Sequence, residues 1–282
     1  MAAGSGTITG RNEQLYMKVS VLIPTYNRLT ALVATLTALT AQDFKDFEII
    51  VADQSDVFTG NDGVVQTLQR IFDLHQTPLK LLQNLPKKGI AHQRQFLLGQ
   101  SFGEYSLYLD DDIILEPDVI GRMVKALDEE KCAFVGMMPI GLSYSKDFRP
   151  HQQQIEFWEE AVQPENIQPK TPEWQRHVVH NAANILHVGQ ELNIQPENQQ
   201  KYKIAWVGGC ILYDTQKLRE NGGFTFWEQL PEEHCGEEVY IQQKLMKKYG
   251  GFGLLPSGGY HLELPTTLVN RETNAPDFFR SE

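Results

Sequence analysis

Cysteine is scarce: Cys132, Cys210 and Cys235 are an odd number with no CxxC pair among them. That excludes a disulfide-framed scaffold and suits a reduced, intracellular chain. Cations are also short. The 282 residues carry 25 Lys+Arg against 36 Asp+Glu, so 25 − 36 gives a formal charge of −11. Such a balance argues against a nucleic-acid scanner and against attachment to anionic lipid by charge alone. It is compatible with a phosphate-bearing ligand, because a bound divalent cation reverses the local sign. No stretch approaches the ~18 continuous apolar residues of a membrane span. GxGxxG is absent, which removes a nicotinamide dehydrogenase. Internal repeats and low-complexity tracts are missing too. The start, MAAGSGTITGRNEQLY, lacks a cationic segment followed by an apolar core and reads as a disordered tail over 1–17 rather than a secretory leader.

What remains is a strand–helix alternation. Val19, Val21, Leu22 and Ile23 form a β-branched run stopped by Pro24, and Leu29, Leu32, Val33, Leu36 and Leu39 recur at helical spacing. FEIIVA (Phe47 to Ala52) is a second buried strand ending at Asp53. A helix follows over 64–74, then a strand over 79–82, a helix over 89–100 and a strand over Tyr105–Leu109. Pro117 suits the first turn of a helix through Leu127, and 132–137 is the next strand. Continuous apolar strands between amphipathic helices imply a mainly parallel sheet covered on both faces. Between Gly141 and Lys203 the chain turns to Gln, Asn, His and Pro, too sparse in apolar residues for a core of its own. Order returns at Ile204–Gly209, followed by helices at 215–220 and 237–249 and a strand at 252–255.

Ligands of such sheets gather at the carboxyl ends of the strands, where Asp53 and Asp110-Asp111-Asp112 both fall. At ~5 Å and an effective dielectric near 20, two like charges repel by about 3 kcal/mol. Three adjacent carboxylates therefore call for a cation, protonation or full solvation. In an extended strand Asp110 and Asp112 point one way and address one ion while Asp111 points elsewhere. Oxygen donors suit Mg2+ or Mn2+ bridging to a diphosphate; a solvated acidic turn is the plainer reading, weakened by the apolar approach YSLYL. Asp53 serves equally as a ribose or base acceptor or as an Asx-turn residue. Pro24-Thr25-Tyr26-Asn27-Arg28 offers an aromatic face and helix-start N–H groups to a nucleotide, or is a helix cap. Lys87-Lys88-Gly89 and Arg94 match a diphosphate, or lie on a solvated helix face. Glu237 and Glu238 sit in a first helical turn, where the macrodipole favours their ionised form. His261 is a lone histidine.

In this order the segments VSVLIPTYNR, FEIIVADQSD, KGIAHQRQ, YLDDDIILEPD, GGF and GEEVYIQQKL resemble the family 2 glycosyltransferases of the GT-A fold, over roughly Lys18 to His261. The resemblance implies a Rossmann-like three-layer α/β/α unit with a mainly parallel central sheet. Residues 18–138 would form its nucleotide-sugar half and 139–282 its acceptor half. It implies inverting transfer from a nucleotide sugar, with a UDP-sugar favoured, to a glycan or glycolipid hydroxyl, in the cytoplasm or at the inner membrane face, with no nucleic-acid partner. The implied nucleotide contacts are Pro24, Thr25, Tyr26, Arg28, Asp53, Lys88, Gly89, Arg94, Asp110 and Asp111. Mn2+ or Mg2+ would fall to Asp112, Asp110 and His261. The base position is an ED pair in the family and Glu237-Glu238 here, which points to Glu238. A nucleotidyltransferase would carry a Gly-rich basic loop after its first strand, a dehalogenase-like phosphatase an early DxD. A catalytically inactive nucleotide-sugar-binding module is the competing reading.

Overall fold

The computed structural model describes residues 17–268 and 270–280; the expected tail over 1–17 thus lies, Met17 apart, outside the described residues. Among the described residues ten strands form: β1 (Val19–Thr25), β2 (Phe47–Asp53), β3 (Leu79–Gln83), β4 (Tyr105–Leu109), β5 (Ile113–Leu115), β6 (Phe134–Gly136), β7 (Gln200–Tyr202), β8 (Cys210–Asp214), β9 (Gly251–Leu255) and β10 (Gly259–His261). Eight α-helices alternate with them: α1 (Leu29–Leu39), α2 (Gly63–Leu74), α3 (Ile90–Gln100), α4 (Val119–Glu130), α5 (Asn184–Glu191), α6 (Thr215–Glu220), α7 (Glu237–Tyr249) and α8 (Ala275–Phe278). One sheet runs β3-β2-β1-β4-β8-β6-β9-β7, and β10 pairs with β5 in a separate ribbon. The first four strands are parallel, β8 is inserted antiparallel between β4 and β6, and β6 and β9 are parallel again.

Alternate residues of each buried strand feed opposite faces, as the pleat requires. Val19, Val21 and Ile23 join one core with Leu32, Leu36, Phe72 and Met123, whereas Leu22, Ile50 and Ala52 join the other with Leu97, Ile241 and Leu245. Helices thus cover both faces. Ile167, Val179, Ile185, Val188 and Ile194 of the polar 141–203 stretch pack into that second core rather than one of their own.

Several sequence expectations shift. β1 does not stop at Pro24; it runs to Thr25 because pairing with β2 continues through Pro24↔Ala52 and Thr25↔Asp53, while pairing with β4 ends at Leu22. Pro117 precedes α4 instead of entering it. Ile204–Gly209 is irregular, and the ordered element is the apolar run just after it, Cys210–Asp214. The three-residue β5 exists only through its partner β10.

Candidate active site

β1 and β4 are neighbours with the same direction, so their carboxyl ends, Thr25–Arg28 and Asp110–Asp112, meet by topology. A cavity of about 570 Å3 opens there. Pro24, Thr25, Tyr26, Arg28, Gly89, Arg94, Asp110, Asp111, Asp112, Glu237, Glu238 and His261 all line it. Two expected residues do not. Asp53 is fully buried, and its oxygens accept the N–H of Ser55 (2.7 Å), the N–H of Thr59 (2.7 Å) and the Thr59 hydroxyl (2.8 Å). It builds the loop after β2, and the next residue, Gln54, reaches the cavity wall instead. Lys88 turns to Trp227 (5.4 Å to the ring centroid), whereas Lys87 lines the cavity over Tyr26 (4.2 Å). Arg271 also lines it; it lies beyond the stretch that carries the family resemblance, and nothing local marked it.

The aspartate turn differs from the expected pairing of Asp110 with Asp112. β4 ends at Leu109, so the two-residue alternation of a strand does not extend into the turn. Arg28 forks across Asp111 (Nη1–Oδ1, 3.0 Å) and Asp112 (Nη2–Oδ2, 2.7 Å), and Asp110 faces Arg94 instead (3.2 Å). Thr25 donates to Asp111 Oδ2 at 2.7 Å, and Thr35 of α1 donates to the Asp111 carbonyl at 2.8 Å. Burial outweighs Thr25 and Arg28, pushing the Asp111 carboxyl up to about 7. Asp111 thus ties β1 and α1 to the aspartate turn. His261 accepts the Glu263 N–H at Nδ1 (2.8 Å), so its ring proton sits on Nε2, 3.3 Å from Asp112 Oδ2. Ligation through Nε2 would require His261 to give up that arrangement.

Arg94 is the hub of the opposite wall. Its Nε donates to Glu237 Oε1 (3.0 Å), and Nη2 lies 2.9 Å from Glu238 Oε1 and 3.2 Å from Asp110 Oδ1. One buried guanidinium serves three carboxylates. Burial disfavours its charge, yet Glu238, Asp110 and Glu237 together hold its pKa above the ordinary value. The counterpart is Glu238: burial first, then Asp110 and Glu237, raise its carboxyl to about 8 against the pull of Arg94. Arg94 Nη1 is buried with no hydrogen-bond partner in the protein, and Glu238 Oε1 has only its ion pair with Arg94 Nη2, a condition that a bound substrate would relieve.

Two glycines set this wall. Gly89 (φ +91°) precedes α3, and a Cβ there would meet Glu232 O at 2.4 Å and His234 Cε1 at 2.5 Å. That contact lets His234 Nε2 accept the N–H of Ala91 at the start of α3 (3.1 Å). Gly209 (φ +80°) would drive a Cβ to 2.8 Å from Ile113 Cδ1; its carbonyl accepts the Asp110 N–H at 2.9 Å.

No group of three or more His, Cys, Asp or Glu poised to hold a metal occurs among the described residues. A hard cation needs only one or two carboxylates when a diphosphate completes its shell. Asp110, 38% exposed, and Asp112 supply such oxygens, and three carboxylates around one arginine leave negative charge for a cation to offset. The residues fit.

Strand order, two covered faces and a carboxylate-lined cavity at the strand ends make this a GT-A-type α/β fold, as comparison with solved structures shows. The crystal structure of S. aureus TarS 1–349 in complex with UDP-GlcNAc superposes with a TM-score of 0.54 at 18% identity, covering 89% of this chain and 60% of that one. The mannosyltransferase PcManGT from Pyrobaculum calidifontis, in complex with GDP-Man and Mn2+, gives 0.52 at 17% identity over 84% and 55%. The chain belongs to glycosyl transferase family 2, whose sequence profile matches residues 20–188. A GalNAc(5)-diNAcBac-PP-undecaprenol beta-1,3-glucosyltransferase from Campylobacter jejuni is 35% identical over 112 residues, 40% of this chain. The chain spans 35% of that relative's length.

Proposed function

We propose that this chain transfers a sugar, with inversion, from a nucleoside-diphosphate sugar, UDP-linked by preference, to the hydroxyl of a glycan or lipid-linked glycan. The observation that carries the reading is the convergence of Asp110–Asp112, Arg94 and Glu238 on one cavity at the strand ends. Tyr26 and Gln54 face the nucleoside. Lys87, Arg28 and Arg94 are the cations on the diphosphate side. Mg2+ or Mn2+, held by Asp110 and Asp112 with the diphosphate, would neutralise charge developing on the leaving group.

Glu238 takes the proton of the acceptor hydroxyl as its oxygen bonds to the anomeric carbon. The bond from that carbon to the diphosphate breaks, and its electron pair leaves on the diphosphate oxygen. A carboxyl pushed to about 8 is, once ionised, a stronger base than an ordinary carboxylate. Glu237, bonded to Arg94 Nε, positions the guanidinium. Residues 18–138 supply most of the donor side and 139–282 the acceptor side. No described helix is long and apolar enough to cross a membrane; the reading places a lipid-linked acceptor at the cytoplasmic membrane face. The undecaprenol-linked substrate named for the Campylobacter relative supports this choice, and the Mn2+ complex of PcManGT supports the metal.

Glu238→Gln keeps the shape and removes the acceptor of the proton. Transfer should fall by roughly 10²–10⁴-fold, while the thermal shift produced by UDP with Mn2+, and abolished by EDTA, persists. Glu237→Gln should lose less turnover. Near-normal transfer by Glu238→Gln would place the base elsewhere.

A further inference from the structure

A second cavity, of about 300 Å3, adjoins the first. Asp110, Glu238 and His261 line both, so Glu238 stands between the donor cavity and this one. The rest of its wall comes from Ile113, the 138–144 stretch, His180, Ala182, Gly208-Gly209 and Glu263, most of it outside the segments that carry the family resemblance. Its size sits at the small end of ligand sites, enough for one sugar ring and not a chain of them.

Its charge is opposite in character to that of the donor cavity. Arg28, Lys87, Arg94 and Arg271 line the donor cavity, whereas among the described residues no lysine or arginine lines the second. The ionisable groups there are the carboxylates Asp110, Glu238 and Glu263 and two imidazoles. His261 accepts the Glu263 N–H at Nδ1 and turns Nε2 to Asp112. Burial pushes His180 down to about 3, so it brings no positive charge. On the apolar side stand Met138, Pro139 and the half-exposed ring of Tyr144. That ring lies close over Gly141: a Cβ there would come within 3.2 Å of Tyr144 Cδ2 and 2.9 Å of Glu263 Oε1. Ser143 ties the same loop to Glu263, its N–H donating to Oε2 at 3.1 Å and its hydroxyl to Oε1 at 2.5 Å. The aromatic face and the carboxylate are thus fixed side by side.

We infer that this second cavity receives the acceptor and selects an uncharged pyranose, its C–H face against Tyr144 and its attacking hydroxyl at Glu238, and that it rejects uronic and other acidic sugars. This rests on Glu238 being the base. An anionic ring placed here would meet Glu263, whose partner is the uncharged Ser143, and Asp110 and Glu238, which already share the single guanidinium of Arg94 with Glu237. A neutral ring supplies hydroxyl donors to those carboxylates and an apolar face to the tyrosine.

Saturation-transfer NMR, which reads millimolar binding, tests this with methyl β-glycosides of glucose, galactose and N-acetylglucosamine against methyl β-glucuronide and β-galacturonide. Each is titrated with and without UDP and Mn2+. At least one neutral glycoside should bind, with both uronides weaker by roughly tenfold or more. Tyr144→Ala should weaken the neutral glycoside by roughly tenfold, and Tyr144→Phe should restore it, because the ring face and not the hydroxyl makes the contact. Glu263→Gln should narrow the gap between glucoside and glucuronide. Uronides binding as well as neutral sugars, no neutral glycoside binding, or an affinity indifferent to Tyr144→Ala would each overturn the inference. The titrations without UDP decide the ligand of this cavity on their own. Failure of the donor reading shows separately, as no response to UDP and Mn2+.

Discussion

Arg94 is where one substitution should reveal most about the site. Arg94→Met keeps the length and bulk of the side chain and removes its charge. Its guanidinium is 4% exposed and faces Glu237 at 3.0 Å, Glu238 at 2.9 Å and Asp110 at 3.2 Å. Asp110 is 38% exposed, so water screens its part, and the loss is dominated by Glu237 and Glu238, at 8% and 14%. Leaving a buried charge without its partner costs about 3–5 kcal/mol. In a chain of this size each kcal/mol moves Tm by about 2–4 °C, so the midpoint should fall by roughly 6–20 °C at pH 8. The loss should depend on pH with a definite sign. Without the guanidinium Glu238 loses the group that pulls its carboxyl down, so its folded-state pKa rises beyond the wild-type value of about 8 and the folded variant holds an extra proton. Relative to wild type its stability then declines as pH rises toward and past about 8, and the deficit is small near pH 5. Arg94→Lys should rescue poorly, because one ammonium cannot serve Nε and Nη2 positions together. Adding Glu238→Gln to Arg94→Met should recover part of the stability at pH 8. Calorimetric melts at pH 5 and pH 8 decide the matter. An equal deficit at both pH values, or a double variant less stable than the single one, would refute the charge argument.

Asp53→Ala removes three acceptor contacts from the loop after β2 and should cost about 2–4 kcal/mol in thermal or urea unfolding; a neutral substitution would mean that the Ser55–Thr59 loop holds itself. The transfer reaction itself should show the base: kcat/KM for the acceptor should rise about tenfold per pH unit below about 8 and level off above it, because only the ionised Glu238 accepts a proton. A profile flat between pH 6 and pH 9 would remove Glu238 from that role.

Much of this protein could be read along the chain. Apolar runs such as Val19–Ile23 and Phe47–Ala52 are buried on both faces, so burial and strand state coincide and are visible in composition alone. Helical periodicity located α1 to α4 and α7, and the loop-to-helix order carried the family resemblance. The aspartate cluster stands out because charge beside a buried strand is conspicuous in a chain otherwise obeying its pattern, whereas the choice of Arg94, and of Glu238 over Glu237, comes from the family resemblance. Short elements were harder. β5 has three residues and is a strand only because β10 lies against it, a pairing across more than a hundred residues that no local window contains. β8 was misplaced, since order is expected at Ile204–Gly209 and the strand is the next run, Cys210–Asp214; its antiparallel insertion is decided by where the chain returns.

Tertiary structure alone decided which of two adjacent residues lines the cavity. Lys87 and not Lys88, and Gln54 and not Asp53, reach the cavity. Asp111 pairs with Asp112 on Arg28, while Asp110 turns to Arg94. The chain announces the charges; their partners come from α1, α3, α7 and β10, and those four elements meet only when the sheet is built. A side chain's direction past the end of a strand follows from turn geometry and from the nearest opposite charge, and both are properties of the folded neighbourhood.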